Sequence, residues 1–301
     1  MTFARIVRDI KALKIQGAQT VAKQALNALE DIVKTSKAKT GQAFLLEIEK
    51  ACRVLKATRP TEPCMRNALH YAAADITGDS VSGAKQQLSR NIEATLRHFS
   101  FAEQRIAVFG ANKILPNMQV FTHCHSSTVV RILKMAKEQG KLFSLSNTET
   151  RPSFQGRITA TAVAKLKIPV SHYVDSAAHY ALRKADLVLL GVDAITFTGA
   201  IVNKVGTQMI AQMAHDYHIP VYACSDSWKF DPQTKEGLDE PMEVRDPREV
   251  WPKFPKGVAI KNHAFDLVDP DLFSGIISEL GVFKPELFVR EVEEAYPWLV
   301  K

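Results

Sequence analysis

The chain has 301 residues, of which 46% are hydrophobic and 24% charged. That balance excludes a disordered or low-complexity protein, and the length is too great for a single small core and suits two domains or one large one. The formal charge is +7, but the Lys and Arg residues form no run of five or six and have no aromatics interleaved, so the excess points to phosphate groups in a pocket and a solvated surface, not a nucleic-acid track.

The first hundred or so residues read as helices. Ile10, Leu13, Val21, Ala25, Leu29 and Ile32 recur near helical spacing. The Gly17–Ala18 step breaks this pattern into two helices that meet at a turn. Residues 43–57 form a third amphipathic helix, ended at Arg59-Pro60-Thr61 because proline disfavours helix at the residue before it. Residues 65–76 restart a helix. Residues 80–114 carry a long helical pattern with two glycines and no proline inside it, which leaves one helix or two open.

After Pro116 the grammar changes. Short strand-like runs at 118–123, 141–147, 168–174, 186–193 and 219–225 alternate with helical stretches at 127–140, 155–167, 176–185 and 204–218. This alternation predicts βαβ units and a parallel sheet, whose strands are covered on both faces and so read as apolar runs. Residues 230–256, rich in Pro, Asp, Glu and Lys, form an excursion loop, and 259–281 return as a strand-like segment and a helix. The expected architecture is α/β: a helical N-terminal domain, residues 1–112, followed by a Rossmann-like parallel-sheet domain, residues 113–301.

Open α/β sheets bind ligands at the carboxyl ends of their strands. Three such ends carry suggestive residues: FTHCHSS, NTETRP and GVDAITFTGAIVNKVG. Cys124 sits where a strand hands over to a helix. The helix N-terminus, with His123 and His125 alongside, would lower its pKa and make it a base or nucleophile; a buried cysteine acting as a small hydrophobe is the other reading. No metal site is expected from His123, Cys124 and His125, because neighbouring residues do not converge easily on one ion. Ser126, Ser127 and Thr128 open the next helix, where hydroxyls and free N–H groups serve a phosphate, an N-cap, or both. Arg151 and Arg157 offer two guanidinium groups suited to phosphate oxygens, or a surface pair. Asp193 ends the most apolar strand, placed to act as an acid or base or to cap a turn. Asn203 and Lys204 follow a glycine-containing turn and begin a helix, with Lys204 placed to hold a phosphate or polarise a carbonyl.

The four cysteines, Cys52, Cys64, Cys124 and Cys224, make no CxxC pair and fit no zinc module. Reduced thiols in a cytoplasm are expected. The N-terminus lacks the apolar core of a signal peptide, and no run of 18 apolar residues exists to form a membrane helix.

At THCHSS, TETRPSFQGR, DSAAHYAL and GVDAITFTGAIVNKVGT the chain resembles one family over nearly its whole length. This is the family of translation initiation factor 2B regulatory subunits and their isomerase relatives, methylthioribose-1-phosphate isomerase and archaeal ribose-1,5-bisphosphate isomerase. IQGAQ, TRPT and NHAFDLV also match. The resemblance implies that Cys124 and Asp193 are a catalytic pair. Regulatory subunits commonly keep the Cys region but lose the Asp; both are present here, and the first two motifs look closest to ribose-1,5-bisphosphate isomerase.

Phosphate-binding positions implied by the resemblance are Gly17, Ala18, Arg59, Ser126, Ser127, Arg151, Arg157, Asn203 and Lys204. One position departs from the pattern: the isomerases usually have Arg-Gly-Ala where this chain has Gln16-Gly17-Ala18, and Gln carries no charge to hold a phosphate. The implied activity is conversion of ribose 1,5-bisphosphate to its ketose through an enediolate, with no metal or organic cofactor. The resemblance also implies homo-oligomers, dimers or hexamers, and an AMP activator. A non-catalytic regulatory subunit that binds nucleotides or sugar phosphates, and initiation factor 2, stands as the alternative.

Overall fold

The amphipathic pattern of the first hundred residues folds as α1 (Phe3–Lys11), α2 (Ala18–Thr35), α3 (Gly41–Lys56), α4 (Pro63–Ala73) and α5 (Val81–Ala111). Gly17 precedes α2 at φ +85°, a left-handed backbone that side-chain-bearing residues rarely adopt. Thr40 caps α3, its hydroxyl accepting from Ala43 N–H at 3.2 Å. Proline at the first position of α4 has no N–H to leave unsatisfied. The long pattern after residue 80 is one unbroken helix. Its second glycine, Gly110, is there for packing: a Cβ would lie 2.5 Å from Ile132 Cδ1.

The structure is a computed structural model that describes residues 1–236 and 243–300. Part of the excursion loop expected at 230–256 therefore lies outside the described residues. The chain divides into two compact units, Met1–Phe101 with Trp298–Lys301, and Ala102–Pro297. The first has a core that includes Ile10, Val21, Leu29, Phe44, Leu55 and Leu69, each fully buried. Every such side chain contributes roughly 1.5–3 kcal/mol by leaving water.

The second unit contains strands β1 (Gln119–Thr122), β2 (Ser144–Thr148), β3 (Val170–Tyr173), β4 (Leu187–Leu190), β5 (Ala194–Ile195), β6 (Ile201–Lys204), β7 (Val221–Cys224), β8 (Phe265–Val268), β9 (Gly275–Ile277) and β10 (Val282–Phe283). Its helices are α6 (Ser127–Glu138), α7 (Gln155–Lys165), α8 (Ala178–Leu182), α9 (Thr207–Asp216) and α10 (Pro285–Ala295). The main sheet runs β10-β9-β7-β4-β1-β2-β3, parallel except for β10. Val120, Leu145, Leu187 and Leu189 form its centre, packed against Val129, Ile132 and Leu133 of α6. From β1 the chain moves outward to β2 and β3, then returns to β4 and moves outward the other way. The order therefore reverses between the paired neighbours β1 and β4.

Three expectations need correction. First, the helix expected from residue 204 starts at Thr207, and Lys204 is the last residue of β6. Strands β5, β6 and β8 form a separate antiparallel sheet. Its first hairpin turns through Thr196–Gly199, with Gly199 at φ +81°, and β5 is too short to display alternation in sequence.

Second, residues 270–281 contain a strand, not a helix. Gly275-Ile276-Ile277 is wholly buried, and a short apolar run does not reveal its own period. A Cβ on Gly275 would lie 2.8 Å from the Phe283 carbonyl oxygen, so glycine admits β10 as its neighbour. Helix α10 beyond it was not anticipated. Third, β2 is not an apolar run: Ser146, Asn147 and Thr148 are buried. Asn147 is satisfied by donating to the Gly156 carbonyl at 2.7 Å and facing His172 Nδ1 at 2.9 Å.

Candidate active site

Phe121 of β1 sits beside Val188 of β4, so the two strands end side by side. The crevice beyond such a reversal of strand order is where open α/β sheets place their ligands. The chain leaving β1 delivers Cys124 there, and the chain leaving β4 delivers Gly191, Val192 and Asp193.

Cys124 is held on every side. Its backbone is left-handed, φ +64°. Its N–H donates to the Thr150 hydroxyl at 3.0 Å, and its carbonyl accepts from the Thr159 hydroxyl at 2.8 Å. The sulfur lies 3.5 Å from Gln155 Oε1. Burial pushes the thiol up from 9.0 to about 11; Lys204 and the His125 backbone N–H pull it down, while Asp193 and Asp175 push it up. This reverses the expectation of a lowered pKa, because desolvation of the thiolate outweighs the neighbouring cation.

The flanking histidines add no charge. Burial lowers both of their pKa values. His123 Nε2 is 2.9 Å from the Val205 carbonyl, which can only accept, so the proton sits on Nε2 and Nδ1 accepts from the Thr148 hydroxyl at 2.5 Å. His125 Nδ1 lies 3.0 Å from the Thr159 hydroxyl, whose one proton already goes to Cys124. Both rings are structural struts around the cysteine.

Ser126 caps α6, its hydroxyl accepting from Val129 N–H at 3.3 Å. Ser127 opens the helix and is exposed. The N–H groups of such a first turn have no helical acceptor and favour an anion. Gly191 lets β4 approach this turn: a Cβ would stand 2.7 Å from Ser126 Cβ.

Asp193 is half-buried, three residues past the end of β4. Its N–H donates to the Val202 carbonyl at 2.9 Å, which ties it to the small sheet. Among the described residues its carboxylate has no hydrogen-bond or ion-pair partner. Lys204 is buried, its ammonium 4.6 Å from the Phe265 ring centroid, and no described carboxylate pairs with it. Asn203, also buried, turns its amide to the Thr207 hydroxyl at 2.9 Å.

Arg151 and Arg157 both lie over Phe154, at 5.1 and 3.8 Å from its centroid. Arg151 donates to the Val250 carbonyl at 2.9 Å and lines a cavity of about 10 Å³ together with Lys204, Gln155 and Arg245. Arg157 is paired with Glu149 at 3.0 Å on the exposed side. Gly17, Ala18 and Arg59 belong to the helical unit, where Arg59 is buried and paired with Glu62 at 2.8 Å.

Two residues escaped the sequence reading. Gln155 reaches the thiol, although Arg157 is the charged member of its Gln-Gly-Arg segment. Lys229 is buried and donates to the Val192 carbonyl at 2.6 Å, one residue before Asp193. A lysine beside a tryptophan and a phenylalanine carries no sequence signal for this; only the approach of the β7 and β4 ends creates it.

The chain is similar to several known proteins. A ribose 1,5-bisphosphate isomerase of Thermococcus kodakarensis is 35% identical over 98% of this chain and 95% of its own. A methylthioribose-1-phosphate isomerase of Pelotomaculum thermopropionicum is 32% identical over 94% of this chain and 83% of its own. The crystal structure of translation initiation factor eIF-2B from Pyrococcus horikoshii OT3 matches with a TM-score of 0.84 at 27% identity, covering 95% of this chain and 98% of that one. The profile of the Initiation factor 2 subunit family spans residues 14–285, and on that match the chain belongs to this family.

Proposed function

We propose that this chain is an aldose–ketose isomerase of a pentose 1-phosphate, with ribose 1,5-bisphosphate as its substrate and ribulose 1,5-bisphosphate as its product. The observation that carries the proposal is the pairing of a buried thiol, Cys124, with an unpartnered carboxyl, Asp193, at the adjacent ends of β1 and β4, with Lys204 close enough to act on the thiol. The isomerases named above act on phosphorylated riboses, which favours this chemistry over a purely regulatory role.

The proton bookkeeping closes on itself. Asp193 as the acid protonates the ring oxygen while the bond from that oxygen to C1 breaks. Cys124 as thiolate takes the proton from C2, and a C1–C2 enediol with phosphate on O1 forms. Cys124 then returns a proton to C1, and Asp193 takes the O2 proton as the C2 carbonyl forms. Both groups finish in their starting states. Lys204 favours the thiolate, and the first turn of α6 with Ser126 and Ser127 offers N–H and hydroxyl groups to one phosphate. Arg151, Asn203 and Lys204 are assigned to phosphate contacts here.

The test is turnover followed by phosphorus NMR with ribose 1,5-bisphosphate, ribose 1-phosphate and 5-methylthioribose 1-phosphate, with and without AMP. Ribose 1,5-bisphosphate should be converted fastest. Cys124→Ser and Asp193→Asn should each lower kcat by about 10²–10⁴-fold with the fold retained. Wild-type turnover in either variant removes its assigned role. Binding of initiation factor 2 with no turnover of any sugar would favour the regulatory reading.

A further inference from the structure

We propose that Asp175 is the positioning residue of the thiol site: its carboxylate fixes the Thr150–Arg151 backbone, and Thr150 in turn fixes Cys124. The inference rests on the reading of Cys124 as the base. Asp175 opens the turn that follows β3, and β3 runs beside β2 with Tyr173 opposite Thr148. This register brings Asp175 next to the loop leaving β2. One carboxylate oxygen accepts Thr150 N–H at 2.8 Å and the other accepts Arg151 N–H at 2.7 Å.

That grip has a purpose in the backbone. Thr150 is left-handed, φ +63°, as is Cys124 at φ +64°. Such a conformation is uncommon for a β-branched residue and persists only where its surroundings impose it. The Thr150 carbonyl accepts Phe154 N–H at 2.8 Å, which closes the loop, and the Thr150 hydroxyl accepts Cys124 N–H at 3.0 Å. The chain of contacts therefore runs from a carboxylate on the β3 side, through one strained residue, to a second strained residue that carries the thiol.

Two adjacent N–H donors explain why the residue is an aspartate. A carboxylate offers an oxygen to each. An asparagine offers one oxygen and one NH2, and the NH2 would face a backbone N–H. Asp175 touches no reacting atom in this scheme.

The charge of Asp175 supplies an independent readout. Four groups act on the Cys124 sulfur. Lys204 and the His125 N–H favour the thiolate, and Asp193 and Asp175 oppose it. His123, the preceding residue, has its pKa lowered by burial and is neutral over the range tested. Removing the charge at 175 should therefore make the thiol ionise at lower pH even as the site loses its geometry. A loop held merely for stability would not move the thiol titration.

The experiment uses the full-length protein and four variants: Asp175→Asn, Thr150→Val, Thr150→Ser and the Asp175→Asn/Thr150→Val double variant. Thermal melting first establishes that each is folded. Alkylation of Cys124 by iodoacetamide is followed from pH 7 to pH 11 by mass spectrometry, alongside kcat and KM for ribose 1,5-bisphosphate. Asp175→Asn should lower kcat about 30–100-fold, the cost of a small misplacement of a reacting group, and shift the alkylation profile to lower pH. Thr150→Val should lower kcat comparably and leave the profile in place. Thr150→Ser, which keeps the hydroxyl, should restore turnover.

The double variant should be no worse than the poorer single variant, because the two residues act in series. Folded Asp175→Asn with wild-type kcat, or an unmoved alkylation profile, overturns the inference, as does full additivity in the double variant. If Asp175→Asn fails to fold, wild-type kcat in Thr150→Val overturns it. A wild-type protein inactive on every sugar phosphate defeats the enzymatic reading instead; the alkylation profiles still decide whether Asp175 governs the thiol.

Discussion

The ammonium of Lys229 donates to the carbonyl of Val192 at 2.6 Å, and so braces the segment that ends in Asp193 from the direction of β7. A buried lysine used in this way holds a backbone in place. Lys229→Met keeps the length and loses the donor. It should destabilise the protein by about 1–3 kcal/mol, since the carbonyl loses a charged donor, and lower kcat about 100-fold by releasing Asp193. Urea unfolding and steady-state kinetics check the two parts separately.

The raised thiol of Cys124 fixes the sign of the pH dependence. Below about pH 11 the thiolate is the minor form, and its fraction grows tenfold with each pH unit. If it is the base, log kcat should rise with pH at close to unit slope from pH 7 to pH 9, with no plateau near neutrality. Lys204→Met removes the cation that favours the thiolate, so iodoacetamide should label Cys124 more slowly at every pH in that range. A flat rate profile across this range would exclude the thiolate as base.

Stability should fall on the alkaline side for the same reason. Cys52 and Cys124 both rise from 9.0 to about 11 on burial. A group whose pKa is higher in the folded state favours folding fully below the unfolded value and loses that contribution as pH climbs through the folded one. Each thiol would then give up about 2–3 kcal/mol between pH 9 and pH 11. Melting temperatures of the wild type, Cys52→Ala and Cys124→Ala across this window measure it; the variants should show the shallower decline.

Two glycines near the site should behave differently. A Cβ at Gly156 would meet the Thr148 carbonyl oxygen at 1.7 Å, and that oxygen belongs to β2, a strand paired on both sides that cannot yield. Gly156→Ala should cost about 3 kcal/mol or more and depress soluble yield. At Gly191 the obstruction is the Ser126 side chain, at 2.7 Å. Gly191→Ala should cost about 1–2 kcal/mol and act mainly by displacing the α6 cap, raising KM. Thermal melts paired with KM values separate the two cases.

Ser126 is expected to serve both helix and ligand. Ser126→Ala removes the acceptor for Val129 N–H and should cost about 1 kcal/mol of stability. Ser126→Gly loses the hydroxyl but keeps most of the capping stability, so a KM that rises as much in Ser126→Gly as in Ser126→Ala would assign the hydroxyl itself to the phosphate.

Much of this architecture is legible in the chain. Alternation of apolar runs with helical stretches after Pro116 marks the parallel sheet, because strands covered on both faces and helices covered on one leave different patterns. Ser126 as a cap and Cys124 at a strand exit follow from local rules. Legibility fails where a segment is too short to show a period, as at Ala194–Ile195, or where it is buried all round, as at Gly275–Ile277. It also fails for β2, since a strand that buries Ser146, Asn147 and Thr148 looks polar until its hydrogen-bond partners are known.

Local order in the chain sets most of the elements and the residue types at their ends, because helix spacing, capping and turn chemistry act over a few residues. Tertiary structure alone decided that Cys124 is buried enough to hold its proton, that Lys204 ends a strand beside it, and that Gln155, Asp175 and Lys229 brace the site. Those outcomes depend on desolvation and on contacts between segments tens of residues apart, and both are set by which strands become neighbours.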